Sequence, residues 1–127
     1  MAIDVNQITG RPINLPADAR VMLNSFSFLY SFMVILLKVC VIIPTYNNEK
    51  SLAAVIEAVH AYTNHIIVVN DGSTDNTGSI ISSYAYVQPI SYANNRGKGW
   101  ALRTAFRHAY QKGYEYAITI DSDGQHF

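Results

Sequence analysis

Short apolar runs alternate with segments of helical hydrophobic spacing from residue 39 to the end of the chain. Continuous runs rich in β-branched residues are typical of strands that are buried on both faces of a sheet. The runs predict four strands, at Val39–Ile43, His65–Asn70, Val87–Tyr92 and Glu115–Ile120. Pro44 is expected to end the first strand, and Pro89, which cannot donate to a strand ladder, to place the third strand near an edge.

Apolar residues three and four positions apart predict a helix after each of the first three strands. The predicted helices cover Lys50–Tyr62, the segment from the turn after Asp71 to about Tyr84, and the segment from near Gly97 to near Gly113. This alternation, with right-handed crossovers, predicts the α/β class: an open, parallel, Rossmann-like sheet of strand order 3-2-1-4, flanked by helices. The outer edge of the fourth strand is expected to be uncovered, which favours association.

Residues 1–38 do not continue this pattern. Ile3–Arg20 has no sustained hydrophobic period and contains helix-breaking glycine and proline, so we expect an extended or poorly ordered arm. Phe26–Leu37 is apolar but shorter than the roughly 20 residues that a membrane-spanning helix needs. Three interpretations of it stay open: an element packed on the domain, contact with a membrane surface, or a targeting segment. We therefore predict an arm at 1–38 and a domain at 39–127.

Composition limits the classes of partner. The nine basic residues equal the nine acidic ones, so there is no overall electrostatic attraction to nucleic acid, and no nucleic-acid partner is expected. The one cysteine, Cys40, lies in an apolar run and is interpreted as a small buried hydrophobic residue, which fits a reducing compartment. We expect a cytoplasmic protein, or one that is peripheral at the inner face of a membrane.

Each predicted strand leads into a polar cluster. Because the carboxyl ends of parallel strands share one edge of a sheet, the four clusters are expected to converge there. They are Pro44-Thr45-Tyr46-Asn47, Asn70-Asp71-Gly72-Ser73, Asn94-Asn95-Arg96-Gly97-Lys98 and Asp121-Ser122-Asp123. Turns after strands are often polar without binding anything, so each cluster alone also has a purely structural interpretation.

Together the clusters favour a nucleotide site. Tyr46 offers an aromatic face for a base, Asp71 is placed to accept ribose hydroxyls, and Lys98 can neutralise phosphate. Asp121 and Asp123 supply the hard oxygen ligands that a divalent cation prefers. The chain has no Gly-x-Gly-x-x-Gly after its first strand and no Gly-x-x-x-x-Gly-Lys-Ser/Thr, which counts against dinucleotide binding and against a phosphate loop of the NTPase kind.

Four ordered motifs carry a resemblance to a known family. They are Val41–Glu49, Ile67–Asp75, Asn95–Gly99 and Asp121–His126. In order and spacing they resemble the signature of family 2 glycosyltransferases with the GT-A fold. The branch that they resemble most is that of the polyprenyl- or dolichyl-phosphate mannosyl- and glucosyltransferases. The resemblance covers about residues 39–127 and says nothing about residues 1–38.

The resemblance implies a role for particular residues. Pro44, Tyr46 and Glu49 are implied to line the nucleoside pocket, with Asp71 bonding base or ribose and Lys98 near the diphosphate. The implied catalytic residues and metal ligands are Asp121 and Asp123 of the Asp-x-Asp motif, with Asp121 also turned toward the ribose or sugar. Gln125 is implied to complete the contacts with the cation, Mg²⁺ or Mn²⁺, or with the phosphate. For His126, contact with the metal or diphosphate and a role in shaping the loop are both open.

The implied reaction is inverting transfer of a hexose from a nucleotide-diphosphate sugar of the GDP-mannose or UDP-glucose class. The implied acceptor is a polyprenyl or dolichyl phosphate, or a glycan, of the cell envelope. Since the sequence stops at Phe127, directly after the metal motif, we interpret 39–127 as the donor-binding half and expect the isolated chain to be weakly active or inactive. Two alternatives remain: a non-catalytic nucleotide-binding fragment, and a sugar nucleotidyltransferase, which the lack of a Gly-rich first loop disfavours.

Overall fold

The computed structural model describes residues 2–4 and 38–123. Its strands are β1 (Ala2–Asp4), β2 (Val39–Thr45), β3 (Ile66–Asp71), β4 (Val87–Tyr92) and β5 (Tyr116–Thr119), and its helices are α1 (Leu52–His60), α2 (Thr77–Ser82) and α3 (Lys98–Gln111). They form one sheet of order β1-β5-β2-β3-β4, in which β2 to β5 are parallel and β1 is antiparallel to β5. The four parallel strands have the predicted order 3-2-1-4, so the α/β fold class is confirmed.

Helices cover both faces of the central strands, which explains their continuous apolar runs. Alternate residues of β2 point to opposite faces of the sheet. Cys40 and Ile42 pack with α3 on one face, while Val41 and Ile43 pack with α1 and α2 on the other. Every residue of β2 and β3 is buried. The carboxyl ends of these two strands are therefore held in fixed positions under the loops that follow them.

Pro44 does not end the first strand, as the sequence suggested. The strand runs through Pro44 to Thr45, and Pro44 pairs with Val69 of β3. Because the backbone of Ile42 faces β5, where its carbonyl accepts from Ile120, the nitrogen of Pro44 two residues later faces the same side. β5 pairs with β2 only as far as Ile42, so the missing N–H removes no ladder hydrogen bond. The position of β4 at a sheet edge, predicted from Pro89, is confirmed.

The outer edge of β5 is not uncovered, contrary to expectation. β1 pairs with it from Ala2 opposite Ile118 to Asp4 opposite Tyr116, so backbone groups of this edge are matched by the beginning of the chain. Periodicity could not reveal this, because three residues are too few to show a strand pattern. Residues 5–37 of the predicted arm, which include the apolar segment Phe26–Leu37, lie outside the described residues. Among the described helices, none has the length and apolar character to cross a bilayer.

The third helix is bounded by two glycines with positive φ. Gly97 precedes it with φ of 94°, and Gly113 follows it with φ of 86°. The interior prediction for Cys40 is also confirmed: the side chain is fully buried, and burial raises the pKa of its thiol to about 12. A thiol in this setting acts as a small apolar side chain.

Candidate functional site

An open cleft of about 340 Å³ lies at the carboxyl edge of the parallel strands. All four predicted polar clusters contribute to its wall, as expected for parallel strands that end at one edge. The lining residues are Pro44, Thr45, Tyr46, Asn48, Asp71, Asn95, Gly97, Lys98, Ala101, Asp121, Ser122 and Asp123. The cleft thus joins residues that lie more than 70 positions apart in the sequence.

Most of the residues singled out in the sequence meet in this cleft. Its wall includes six of them: Pro44, Tyr46, Asp71, Lys98, Asp121 and Asp123. Tyr46 is 45% exposed as a residue, so its aromatic side chain is accessible to a ligand. Glu49 is not among the lining residues, and Gln125 and His126 lie outside the described residues.

Asp71 organises the loop that precedes α3. Its Oδ1 accepts from the backbone N–H of Arg96 at 2.8 Å, and its Oδ2 accepts from the N–H of Gly97 and from Nδ2 of Asn95, both at 2.9 Å. Asn95 Nδ2 also donates to the Asp71 carbonyl at 3.1 Å. With only 3% of Asp71 exposed, these charge-assisted bonds fix the loop that carries Lys98.

Gly72 allows that loop to approach β3 closely. Its φ is 72°, and a Cβ at this position would lie 2.3 Å from the backbone nitrogen of Asn95 and 2.4 Å from the carbonyl carbon of Asn94. No side chain fits between these backbones, so only glycine satisfies both the conformation and the space. The Asp71-Gly72 pair therefore joins the second and third polar clusters.

The turn between Asp121 and Asp123 is held from below by Ser122. Its Oγ accepts from Asn48 Nδ2 at 2.5 Å, and its carbonyl accepts from Ser51 Oγ at 2.6 Å. Ser122 is only 3% exposed, so the intervening residue is anchored while both aspartates reach the cleft. Sequence reasoning assigned no role to Asn48, Ser51 or Ser122, although the position of Ser122 inside the Asp-x-Asp motif was a usable signal.

Lys98 and Asp121 form an ion pair across the cleft, with Nζ 2.5 Å from Oδ1. Their side chains are 60% and 35% exposed, and ion pairs this accessible contribute at most about 1 kcal/mol. The charged residues of the wall are three carboxylates, Asp71, Asp121 and Asp123, and one ammonium, Lys98. This excess of negative charge favours a cation in the cleft, and a phosphate group only together with one.

Glu49 serves a neighbouring loop. Its Oε2 accepts from the backbone N–H of Asn76 at 3.0 Å, while its own N–H donates to Asp75 Oδ2 at 3.3 Å. Asn47, which has φ of 51°, accepts from the N–H of Thr74 at 2.8 Å. These bonds tie the loop after β2 to the loop after β3. In the structure Glu49 thus braces the cleft from outside its wall.

Two pKa values in this region depart from their ordinary range. Burial, reinforced by the neighbouring carboxylate of Asp71, raises the pKa of Tyr92, so its hydroxyl stays protonated. Desolvation tends to raise the pKa of Asp75, but the hydrogen bonds from Thr77 and from the N–H of Glu49 together outweigh it, so the pKa is lowered. Asp75 accepts from the N–H of Thr77 at 2.9 Å at the start of α2.

The chemistry of the donor set fits a divalent cation that is shared with a ligand. Asp121 and Asp123 supply carboxylate oxygens to the same cleft. In the part of the chain that the structure describes, no three His, Cys, Asp or Glu side chains converge on one point. Mg²⁺ commonly takes one or two carboxylates and completes its shell with substrate phosphates and water. Two aspartates beside an open cleft match that mode of binding.

Comparison with known proteins identifies relatives of this chain. Residues 40–127 match the family described as "Glycosyl transferase family 2". A UDP-N-acetylglucosamine--dolichyl-phosphate N-acetylglucosaminyltransferase of Methanococcus voltae is 37% identical over 103 residues, 67% of this chain and 41% of the relative. A polyprenol monophosphomannose synthase of Mycolicibacterium smegmatis is 34% identical over 93 residues, 68% of this chain and 35% of the relative. The chain thus spans about two-fifths or less of the length of these relatives.

Solved structures share the fold. The structure of S. aureus TarS 1-349 superposes with a TM-score of 0.57 and 28% identity, over 67% of this chain and 27% of that one. Glucosyl-3-phosphoglycerate synthase from Mycobacterium tuberculosis, solved with Mn²⁺, UDP and glucosyl-3-phosphoglycerate, superposes with a TM-score of 0.60 and 20% identity, over 87% of this chain and 40% of that one. At that identity the second match shows a common fold alone.

Proposed function

The chain belongs to glycosyltransferase family 2 and has the strand order of the GT-A fold, and from this premise we propose that its cleft binds a nucleotide-diphosphate sugar with a divalent cation. The proposed reaction is inverting transfer of a hexose to a polyprenyl or dolichyl phosphate, or to a glycan. The observation that carries the proposal is the convergence of Tyr46, Asp71, Lys98, Asp121 and Asp123 on one cleft.

We assign the nucleoside to the end of the cleft formed by β2 and β3. The exposed ring of Tyr46 can stack on a base, and Pro44 beside it adds apolar surface. The Asp71 oxygens keep accepting from the loop before α3, and the one lone pair left on Oδ1 is proposed to accept from the base or a ribose hydroxyl. Glu49 acts in this proposal by holding the loop after β3 in place, in addition to the nucleoside contact that the family resemblance implies.

We assign the diphosphate to the end of the cleft beside α3. Gly97 and Lys98 line the cleft where this helix begins, and free amides at a helix start attract anions. Lys98 has to leave Asp121 to reach a phosphate oxygen, and because the pair is largely exposed this exchange costs little. Lys98 then holds the diphosphate, and Asp121 becomes available to the cation or to the sugar.

Asp121 and Asp123 are the proposed catalytic residues and the proposed ligands of Mg²⁺ or Mn²⁺, and Gln125 is proposed to join them. When bound, such a cation neutralises the charge that develops on the departing diphosphate. The anchored Ser122 keeps both carboxylates in position for this role, so little reorganisation is needed when the donor binds. An acceptor phosphate is already an anionic nucleophile, so the demand for a strong general base is small.

The relatives support the class of acceptor. Their names specify dolichyl-phosphate and polyprenol as what those proteins act on. For this chain we propose a lipid phosphate of the same class, a place in cell-envelope glycan assembly, and work at the cytoplasmic face of a membrane. Residues 39–127 are the proposed donor-binding unit. A sugar nucleotidyltransferase is disfavoured by family membership, and a non-catalytic nucleotide-binding role is the alternative that the test below addresses.

Calorimetric titration of the full chain with GDP-mannose and with UDP-glucose, each with and without Mn²⁺, tests the proposal. We expect one donor to bind in a metal-dependent manner, because the negatively charged wall opposes a bare diphosphate. Asp123→Asn should weaken that binding about tenfold or more, the equivalent of 1.4 kcal/mol. Glu57→Gln, an exposed carboxylate on α1 outside the cleft, is the matched control and should leave it unchanged.

Two outcomes contradict different parts of the proposal. Absence of binding by a folded chain contradicts the donor site itself. Efficient transfer to a short-chain polyprenyl phosphate contradicts both the non-catalytic alternative and the interpretation of this chain as a donor-binding half, since such a half is expected to bind donor with little or no transfer.

A further inference from the structure

The outward face of α3 differs from the rest of the surface. Ala101, Ala105, Phe106 and Ala109 turn toward the sheet and are buried. On the opposite side Trp100, Arg103 and Arg107 follow one another at intervals of three and four residues, which places them in one stripe. Arg103 and Arg107 are exposed, and Trp100 is 43% exposed. We call Arg96, Trp100, Arg103 and Arg107 the α3 basic face.

Charge is distributed unevenly although the chain as a whole is neutral. Residues 76–114 contain five of the nine basic residues and none of the nine acidic ones. One of the five, Lys98, is paired with Asp121 in the cleft. Between described residues, no ion pair involves the three arginines of the α3 basic face. Within the part of the chain that is described, none of the three guanidinium groups is therefore held in an ion pair with a carboxylate.

Trp100 gives this face a second property. The guanidinium carbon of Arg96 lies 4.8 Å from the centroid of its ring, a cation–π contact that orients both side chains on the surface. An exposed indole combines apolar area with one N–H donor, and this amphipathic character favours the boundary between lipid and water. Arginine binds phosphate groups through several N–H donors at once. Tryptophan among unpaired arginines matches the chemistry of an anionic lipid surface.

We propose that the α3 basic face docks this chain on a membrane surface that contains anionic lipid headgroups. The complementarity is between three arginines and the headgroup phosphates, with Trp100 at the level of the headgroups. α3 begins in the cleft at Lys98 and runs along this face, so a chain docked in this way holds the mouth of the cleft close to the bilayer. The advantage for a lipid-phosphate acceptor rests on the proposed function, whereas the docking itself follows from the surface alone.

Vesicle sedimentation of the full chain, without nucleotide or metal, tests the docking. Zwitterionic phosphatidylcholine vesicles are compared with vesicles that contain 30% phosphatidylglycerol, at low and at high salt. We expect binding to the anionic vesicles that weakens with salt. Arg103→Gln/Arg107→Gln should lower the partition coefficient roughly thirtyfold, because each basic residue near an anionic surface contributes about fivefold. Trp100→Ala should lower it further.

Lys38→Gln/Lys50→Gln is the matched control. Both lysines are exposed, and the double variant changes the net charge by the same amount at positions outside the α3 basic face. It should bind anionic vesicles like the unchanged chain. Any binding through residues 1–37 is common to both variants and cancels in their comparison. Circular dichroism and thermal unfolding of each variant show that it is folded.

The remaining outcomes overturn the proposal. Equal binding by the two double variants shows that net charge, and not this face, drives the association. Displacement by millimolar glycerol phosphate shows a site for free phosphate, and retention on a single-stranded oligonucleotide in place of vesicles shows a nucleic-acid surface. Donor titration separates the two proposals. Neither arginine lines the cleft, so Arg103→Gln/Arg107→Gln should bind donor like the unchanged chain. If the unchanged chain binds anionic vesicles but no donor, the docking stands and the proposed function fails.

Discussion

Replacing Asp71 by asparagine tests whether a carboxylate is needed to hold the loop before α3. The two side chains have the same shape, but asparagine has one oxygen and one amino group in place of two oxygens. The asparagine amide can be placed in two orientations. In the orientation that keeps more hydrogen bonds, the amide oxygen accepts from Gly97 and Asn95, while the amide nitrogen faces the N–H of Arg96. One bond is lost, two lose their charge assistance, and a buried N–H is left facing a donor.

The size of the effect follows from these contacts. A hydrogen bond to a charged group contributes about 1.5–3 kcal/mol and a neutral one about 0.5–1.5 kcal/mol. Loss of one charged bond and weakening of two others, offset in part by the easier burial of a neutral side chain, gives a loss of about 2–4 kcal/mol. For a chain of this length that corresponds to a fall in Tm of roughly 10 °C.

Urea and thermal unfolding of Asp71→Asn, without nucleotide or metal, measure this loss. Asp123→Asn is the matched control, because Asp123 lines the same cleft but is exposed, and its replacement should change stability by no more than about 0.5 kcal/mol. If Asp71→Asn unfolds within 0.5 kcal/mol of the unchanged chain, the carboxylate does not hold the loop, and its role lies with the ligand alone.

Further predictions concern the loops and the core. Gly97→Ala should lower the free energy of unfolding in urea by about 1–3 kcal/mol, because φ at Gly97 is 94°. Gly99→Ala has equal space for a Cβ but lies in the helix, so it should raise the free energy of unfolding by as much as about 1 kcal/mol. Equal effects of the two variants would count against the role of backbone conformation. Burial should keep Cys40 unreactive toward a disulfide reagent until the chain unfolds, and labelling of the native chain at the rate of a free thiol would contradict this. The hydrogen bonds that lower the pKa of Asp75 stabilise the fold above about pH 4, the unfolded pKa, and this stabilisation is lost as pH falls through the folded pKa. Asp75→Asn should therefore reduce the dependence of the unfolding free energy on pH in the acid range. An unchanged dependence would show that Asp75 does not contribute to acid stability.

Much of the fold could be predicted from the sequence because its signals are local. Strands buried on both faces need continuous apolar runs, and β2 and β3 have them. Because connections between parallel strands are right-handed, few strand orders are possible, and the predicted order 3-2-1-4 is the one observed. The prediction that Pro44 ends the first strand was wrong. A missing N–H weakens a strand only where a neighbouring strand would have accepted its hydrogen bond, and the sequence of one strand does not show how far its neighbour extends.

The candidate site also has a part that could be predicted from the sequence and a part that could not. Motif residues such as Tyr46, Lys98 and Asp123 could be placed at one edge, because strand ends are local and parallel strands share their edge. Their partners could not be placed. Glu49 accepts a hydrogen bond from the backbone of Asn76. This contact depends on the relative positions of the loops after β2 and β3, which are set by helix packing on the sheet.

Hydrophobic period and chain connectivity were enough to predict the α/β class, the order of the four parallel strands and the edge where the polar clusters collect, because they constrain these features directly. The contacts between particular groups came from the packed fold alone: Asp71 is enclosed by three donors, Lys98 pairs with Asp121, and β1 pairs with β5. The physical reason is range. Apolar burial acts on whole segments and is visible in their pattern, whereas a hydrogen bond depends on tenths of an ångström between residues that are distant in the chain.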